Sequence, residues 1–202
     1  MAVDFKSSET MKNLMKAFAG ESQARNRYTF AAAQAKKENL YVISAVFKFT
    51  AKQEREHAEI FYNHLKEMAG ENIAIDGTYP VDITDSVSKL LRYAEHNEME
   101  EYGDVYKHFS EVASQEGFAK ISADFKQIGE VEKIHADRFS HFADLLEQNK
   151  LFISDVSCQW MCLNCGTVID TTKAPEKCPV CNHDKGYFIR VELAPYTASC
   201  NN

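Results

Sequence analysis

QEREHAE (residues 53–59) sets a carboxylate and an imidazole, Glu54 and His57, into a line of residues that otherwise reads as a buried helix face. Ile43, Phe47 and Thr50 precede it, and Phe61, Leu65 and Met68 follow, at the three- and four-residue steps of one α-helical face. Burying such a pair is costly unless positive charge lies opposite. Something elsewhere in the chain, or bound to it, must make the burial favourable.

The interruption recurs. Ile121, Phe125, Ile128, Glu132, His135, Phe139, Phe142 and Leu146 form a second stripe with a Glu-x-x-His pair inside it. Val87, Leu91, Ala94, Glu98, Glu101, Val105, Phe109 and Val112 form a third with two acids, and Leu14, Phe18, Glu21, Ala24, Tyr28 and Ala31 a fourth with one. These patterns predict four long helices, over about 10–38, 41–68, 86–115 and 118–148. Ser8 is the candidate N-cap of the first, and Asn39, Gly70 and Gly117 are stop signals. At about 1.5 Å per residue each helix is about 40 Å long.

The connections are short, long, short, the long one being GENIAIDGTYPVDIT (70–84). That order matches the one-crossover topology of ferritin-like four-helix bundles. Glu54 follows Glu21 by 33 residues and Glu132 follows Glu98 by 34, so each half gives an acid first and Glu-x-x-His second.

In such a bundle the inward polar groups share one level. Five carboxylates in a low-dielectric interior repel one another and lose hydration, a cost of several kcal/mol per ion even after relaxation. Arg27 and Arg55 adjoin inward positions and should point sideways or out. Two divalent or trivalent cations would balance the acids, and oxygen with imidazole ligands suits iron or manganese. Dimetal carboxylate bundles use one Glu from each of two helices and Glu-x-x-His from each of the other two.

The tail differs in kind. Of 202 residues, all six cysteines lie in the last 45, four of them as Cys162-x2-Cys165 and Cys178-x2-Cys181, two knuckles that can present four thiolates to one ion. Spacing alone leaves iron and structural zinc equally open. Short alternating runs such as YFIRVEL (187–193) predict a small β-containing module. So small a unit needs a metal or a cross-link to hold it. Cys158 and Cys200 fall outside the pattern and read as spare thiols. The domain division expected is 1–149 for the bundle and 150–202 for linker and cysteine domain.

The chain has 45% hydrophobic and 26% charged residues, with 23 basic against 30 acidic and a formal charge of -7. That balance argues against nucleic-acid or anionic-lipid partners. MAVDFKSSET lacks the features of a signal peptide and no stretch is long and apolar enough to span a membrane, so a cytoplasmic location is expected.

AFAGESQARNRY (17–28), QEREHAE (53–59), EMEEYGDVY (98–106), EVEKIHADRF (130–139), CLNCG (162–166) and APEKCPVC (174–181) together resemble the rubrerythrin family, in family order. The resemblance implies a diiron centre held by Glu21, Glu54, His57, Glu98, Glu101, Glu132 and His135, with Glu101 and His57 exchanging as ligands between redox states. It implies a rubredoxin-like iron held by Cys162, Cys165, Cys178 and Cys181, and tyrosines, here Tyr28 and Tyr106, bordering the centre. The implied activity is reduction of hydrogen peroxide to water in protection against oxidative stress. Electrons would come from a reductase or rubredoxin through the cysteine site of a head-to-tail homodimer. Thr167 and Asn182 depart from the residues usual beside such knuckles, an aromatic and a glycine. A ferroxidase of the ferritin class and a non-enzymatic bundle with a zinc ribbon are the competing readings.

Overall fold

A computed structural model of the chain describes residues 3–195. Helices α1 (Glu9–Lys37), α2 (Tyr41–His64), α3 (Val87–Glu100), α4 (Tyr106–Glu116) and α5 (Ala119–Glu147) make the bundle. A π-helical turn over Glu101–Val105 joins α3 to α4 as one rod. α1 packs chiefly on α2, and the α3–α4 rod on α5. The result is two hairpins linked by the crossover over 70–86.

The helix ends follow the local chemistry. Ser8 caps α1 by accepting from the Met11 N–H. Glu116, at the end of α4, accepts from the Glu9 and Thr10 N–H groups and the Thr10 hydroxyl, so a carboxylate meets the positive end of the α1 dipole. Asn39 and Asn149 take the left-handed conformation after α1 and α5, and Gly117 does so between α4 and α5. α2 ends at His64, four residues before the expected Met68, and a 3-10 turn over Lys66–Met68 carries the chain to Gly70, also left-handed.

The third stripe corrects the sequence reading. The π-turn holds one more residue than an α-turn, which rotates everything after it. Val105 is exposed and Val112 half-buried, while Tyr106 and Ala113 take the inward positions. Glu98 stays in the core, and Glu101, on the turn itself, is half-buried at the bundle edge.

Strands β1 (Ile153–Cys162), β2 (Val168–Lys173) and β3 (Phe188–Arg190) form an antiparallel sheet in the order β2-β1-β3. Trp160 is fully buried in a small core with Cys162, Cys178 and Phe188, and its indole N–H donates to the Thr171 carbonyl. This sheet unit sits on the end of the bundle. Tyr187 stacks on Tyr41 at the start of α2, with ring centroids 3.9 Å apart. Leu151 and Ile189 join the core cluster of α1, α2 and α5.

Candidate metal centres

Stripe register alone brings the inward polar groups together: antiparallel packing sets the middles of α1, α2, α3 and α5 at one level. Glu21, Glu54, Glu98, Glu132 and His135 are at most 1% exposed, and His57 is 8% exposed. Two sets of four donors form, each with its ligand atoms within 4.8 Å of one another: Glu21, Glu54, His57 and Glu132, and Glu54, Glu98, Glu132 and His135. Glu54 and Glu132 belong to both. Glu101 belongs to neither and lies on the wall of an adjoining cavity.

These groups do not satisfy one another. Among the described residues, ten buried side-chain nitrogen and oxygen atoms lack a hydrogen-bond partner. Eight of them belong to this cluster: Glu21 Oε2, both oxygens of Glu54 and of Glu132, Glu98 Oε2, His57 Nδ1 and His135 Nδ1. The imidazoles approach the acids, with His57 Nδ1 2.9 Å from Glu132 and His135 Nδ1 2.8 Å from it, but without hydrogen-bond geometry. A native interior keeps few such orphans. A cage of carboxylate oxygens and imidazole nitrogens aimed at two points fits two cations of the iron or manganese kind.

The surroundings hold the cage in shape. The Tyr28 hydroxyl donates to Glu98 Oε1 and the Tyr106 hydroxyl to Glu21 Oε1, leaving the other oxygen of each acid turned inward. On the far side of the His135 ring, Nε2 lies 3.2 Å from Gln53 Oε1, which also accepts from Arg138. That pairing fixes the tautomer with Nδ1 free for the centre. Arg27 pairs with Asp82 of the crossover, and Arg55 with Glu56 and Glu59 at the surface, so neither arginine forms an ion pair with the inward acids.

Without cations the cage neutralises itself with protons. Burial, then repulsion from Glu132, Glu54 and Glu101, pushes Glu21 well up; burial, then Glu54 and Glu132, raises Glu98 to about 8. Burial would also raise Glu54, but His135 and His57 hold it down at about 2. Burial would lower the imidazoles, yet the acids raise His57 to about 9 and His135 to about 12. At neutral pH the metal-free protein therefore carries protons on Glu98, His57 and His135 that bound cations must displace. Loading the bundle is expected to release at least three protons per pair of ions, and apparent affinity should fall as pH drops below neutral. Calorimetry in buffers of differing ionisation enthalpy counts them; no proton release would contradict this electrostatic account.

The four cysteines of the tail also converge. All four sulfurs lie within 4.8 Å of one another, with Cys162 to Cys181 at 3.7 Å and Cys165 to Cys178 at 3.6 Å. Sulfurs about 2.3 Å from a central tetrahedral ion would sit about 3.8 Å apart. Each knuckle closes with the same turn: Gly166 and Asn182 donate to the carbonyls of Cys162 and Cys178, both in the left-handed conformation. Asn182 thus takes the conformation usually given to glycine. Thr167 brings its hydroxyl within 3.3 Å of Cys165 Sγ. Cys158 is half-buried beside this cluster, and Cys200 lies outside the described residues.

Gln53, Arg138, Asn97 and Asp82 escaped the sequence reading, because a residue beside a stripe carries no periodic signal. The remaining histidines lie elsewhere: His64 pairs with Asp124 and His96 with Glu100. His108 and His141 lie against Phe109 and Phe142, and His183 against Tyr187.

Comparison with known proteins places this arrangement. Residues 12–143 match the family described as Rubrerythrin, and residues 160–189 match Rubrerythrin, rubredoxin-like domain. The chain is 44% identical over 188 residues to a rubrerythrin of Porphyromonas gingivalis, covering 93% of this chain and 92% of that protein. It is 41% identical over 184 residues to one of Clostridium perfringens, covering 91% and 94%. Among solved structures it is similar to nigerythrin in a mixed-valent state, with TM-score 0.60, 26% identity, and 91% and 90% of the two chains covered. It shares the fold of a Desulfovibrio desulfuricans bacterioferritin, with TM-score 0.62, 22% identity, and 70% and 82% covered.

Proposed function

The chain belongs to the rubrerythrin family, and from that premise we propose that it is a non-haem diiron peroxidase reducing hydrogen peroxide to water. The observation that carries the proposal is the pair of donor sets sharing Glu54 and Glu132, in one chain with a four-cysteine cluster. A diiron oxidoreductase that only stored iron would have no use for a second, thiolate-held site. We assign Glu21, Glu54, His57, Glu98, Glu101, Glu132 and His135 to the diiron centre, and Cys162, Cys165, Cys178 and Cys181 to a rubredoxin-like iron. Residues 1–149 and 150–202 are the corresponding domains.

Two ferrous ions, when bound, supply the two electrons that cleave the oxygen–oxygen bond. The protein's part is positioning and protons. Glu54 and Glu132 hold the two sites at a fixed separation; Tyr28, Tyr106 and Gln53 keep Glu98, Glu21 and His135 aimed inward. Glu101 stands at the cavity wall, outside both donor sets while His57 is inside one. That is the placement the proposed exchange of His57 and Glu101 requires for one redox state. Without cations, burial, with Glu98, Glu132 and Glu54 near, raises Glu101 well above the usual carboxylate range.

Electrons enter through the cysteine site from a reductase or rubredoxin. The sheet unit touches α2 at Tyr41, whereas Glu54 lies about 20 Å further along the same helix. A head-to-tail homodimer would bring the cysteine site of one copy beside the bundle centre of the other. The protein acts in the cytoplasm against oxidative stress; among the described residues no helix is long and apolar enough to cross a membrane.

The test is rapid mixing of the anaerobically reduced protein. Stoichiometric hydrogen peroxide should oxidise it fast and dioxygen much more slowly. A ferrous spectrum unchanged by peroxide would end the proposal. Iron accumulating beyond the fixed sites as mineral would favour a ferroxidase.

A further inference from the structure

The cavity against which Glu101 stands has a volume of about 480 Å³. A water claims about 30 Å³ of liquid, so hydrogen peroxide needs only a small part of this space. The size falls in the range of sites that hold small organic ligands, roughly 300–1,000 Å³. Its walls are apolar where α1 contributes Ala17 and Gly20, the crossover Pro80, the π-turn Val105 and α4 Phe109. Its polar lining includes Gln23, Asn97, Glu101, His108 and Tyr106, the last bonded to Glu21.

The outer wall is fixed in place. The Tyr79 hydroxyl donates to the Lys16 carbonyl at 3.0 Å. A Cβ on Gly20 would come within 3.7 Å of the Tyr79 ring, so any side chain larger than methyl there would project into the cavity. Three residues on, Asp82 takes Arg27 at 2.5 Å and Asn97 at 2.8 Å, and both the arginine and the aspartate side chains are largely buried. Asn97 adjoins Glu98, so this clamp ties the crossover to the rod that carries the inward acid. At the rim, Glu100 and Asp104 are exposed carboxylates, Glu100 beside His96, while Lys16 is shared with Glu9 and Asp76. An anionic substrate would be repelled at the mouth.

We propose that this cavity admits uncharged organic hydroperoxides of the size of cumene hydroperoxide, and that the protein reduces them at the same centre. The proposal rests on the peroxidase reading above. Two electrons come from the donor that serves hydrogen peroxide, by way of the cysteine site, and two protons come from solvent. The oxygen–oxygen bond breaks, the terminal oxygen leaves as water, and the carbon-bound oxygen gains a proton and leaves as the alcohol. The apolar wall holds the organic group, and the side lined by Glu101 and Tyr106 receives the hydroperoxide end.

The test compares kcat/KM of the iron-loaded full chain for hydrogen peroxide, cumene hydroperoxide and its para-carboxylate, in the parent and in Val105→Trp. Val105 is 36% exposed, so the larger ring can fill the cavity from its outer wall; metal content and circular dichroism confirm folding. Cumene hydroperoxide should be reduced, the carboxylate at least tenfold less well, and the ratio of cumene hydroperoxide to hydrogen peroxide should fall at least tenfold in Val105→Trp. Independently of turnover, the methyl protons of the product alcohol, 2-phenyl-2-propanol, should be broadened by the paramagnetic iron in the parent and less so in the variant.

Reduction of hydrogen peroxide alone, with no broadening of the alcohol, overturns this inference and leaves the peroxidase reading standing. Failure with every hydroperoxide overturns both. Unchanged ratios in Val105→Trp would show that the cavity is not the route, and equal rates for the carboxylate would overturn the preference for uncharged substrates.

Discussion

Glu54→Ala is expected to lose both ions from the bundle while keeping its helical content and its cysteine-bound iron. Glu54 supplies an oxygen to each donor set, whereas Glu21 supplies only one set, so Glu21→Ala should lose mainly one ion. Iron counted per chain by mass spectrometry separates the two outcomes. Losing the centre removes several kcal/mol of charge stabilisation, so turnover should fall on the order of 10³-fold or more, at tenfold per about 1.4 kcal/mol. Thermal stability should follow, because an ion bound at a thousand times its dissociation constant stabilises by about 4 kcal/mol. For a chain of this size each kcal/mol moves Tm by roughly 2–4 °C, so a drop of roughly 10 °C or more is expected. Full iron occupancy in Glu54→Ala would remove the basis of the shared-ligand arrangement.

The second large effect is predicted at a residue that ligates neither metal centre. A Cβ added to Gly186 would lie 1.8 Å from the Asn39 carbonyl oxygen, which is backbone and held by the left-handed turn after α1. Neither side can yield cheaply, since Tyr187, next in the chain, is stacked on Tyr41. Gly186→Ala should therefore lift the sheet unit off the bundle, at a cost of roughly 1–3 kcal/mol or more for overpacking. The four cysteines lie within the sheet unit, so the visible spectrum of thiolate-bound iron should survive. Protease sensitivity around residues 148–153 should rise, and electron delivery to the bundle should slow. A variant with parental protease resistance would show that the contact is soft.

The two substitutions mark how far the sequence could be read. Glu54, His57, Glu132 and His135 were legible because helical periodicity is a local property, and a polar pair inside an apolar stripe breaks a pattern that any reader can count. The cysteine knuckles were legible for the same reason, ligand spacing being local. The phase slip at Glu101–Val105 was visible only as an eight-residue step from Glu98 to Tyr106, which a stripe drawn through Val105 conceals. Gly186 and Asn39 are far apart in sequence, and nothing in either neighbourhood announces that they meet.

By itself, then, the sequence determined the long helices and the inward register of Glu21, Glu54, His57, Glu98, Glu132 and His135, since each rests on spacing within one segment. Tertiary structure alone decided that Glu101 stands at a cavity wall, that Tyr79 and Asp82 fix that wall, that Gln53 and Arg138 orient His135, and that the sheet unit sits on the turn at Asn39. Those depend on which segments pack together, and packing between distant segments is set by the whole core and not by any one stretch.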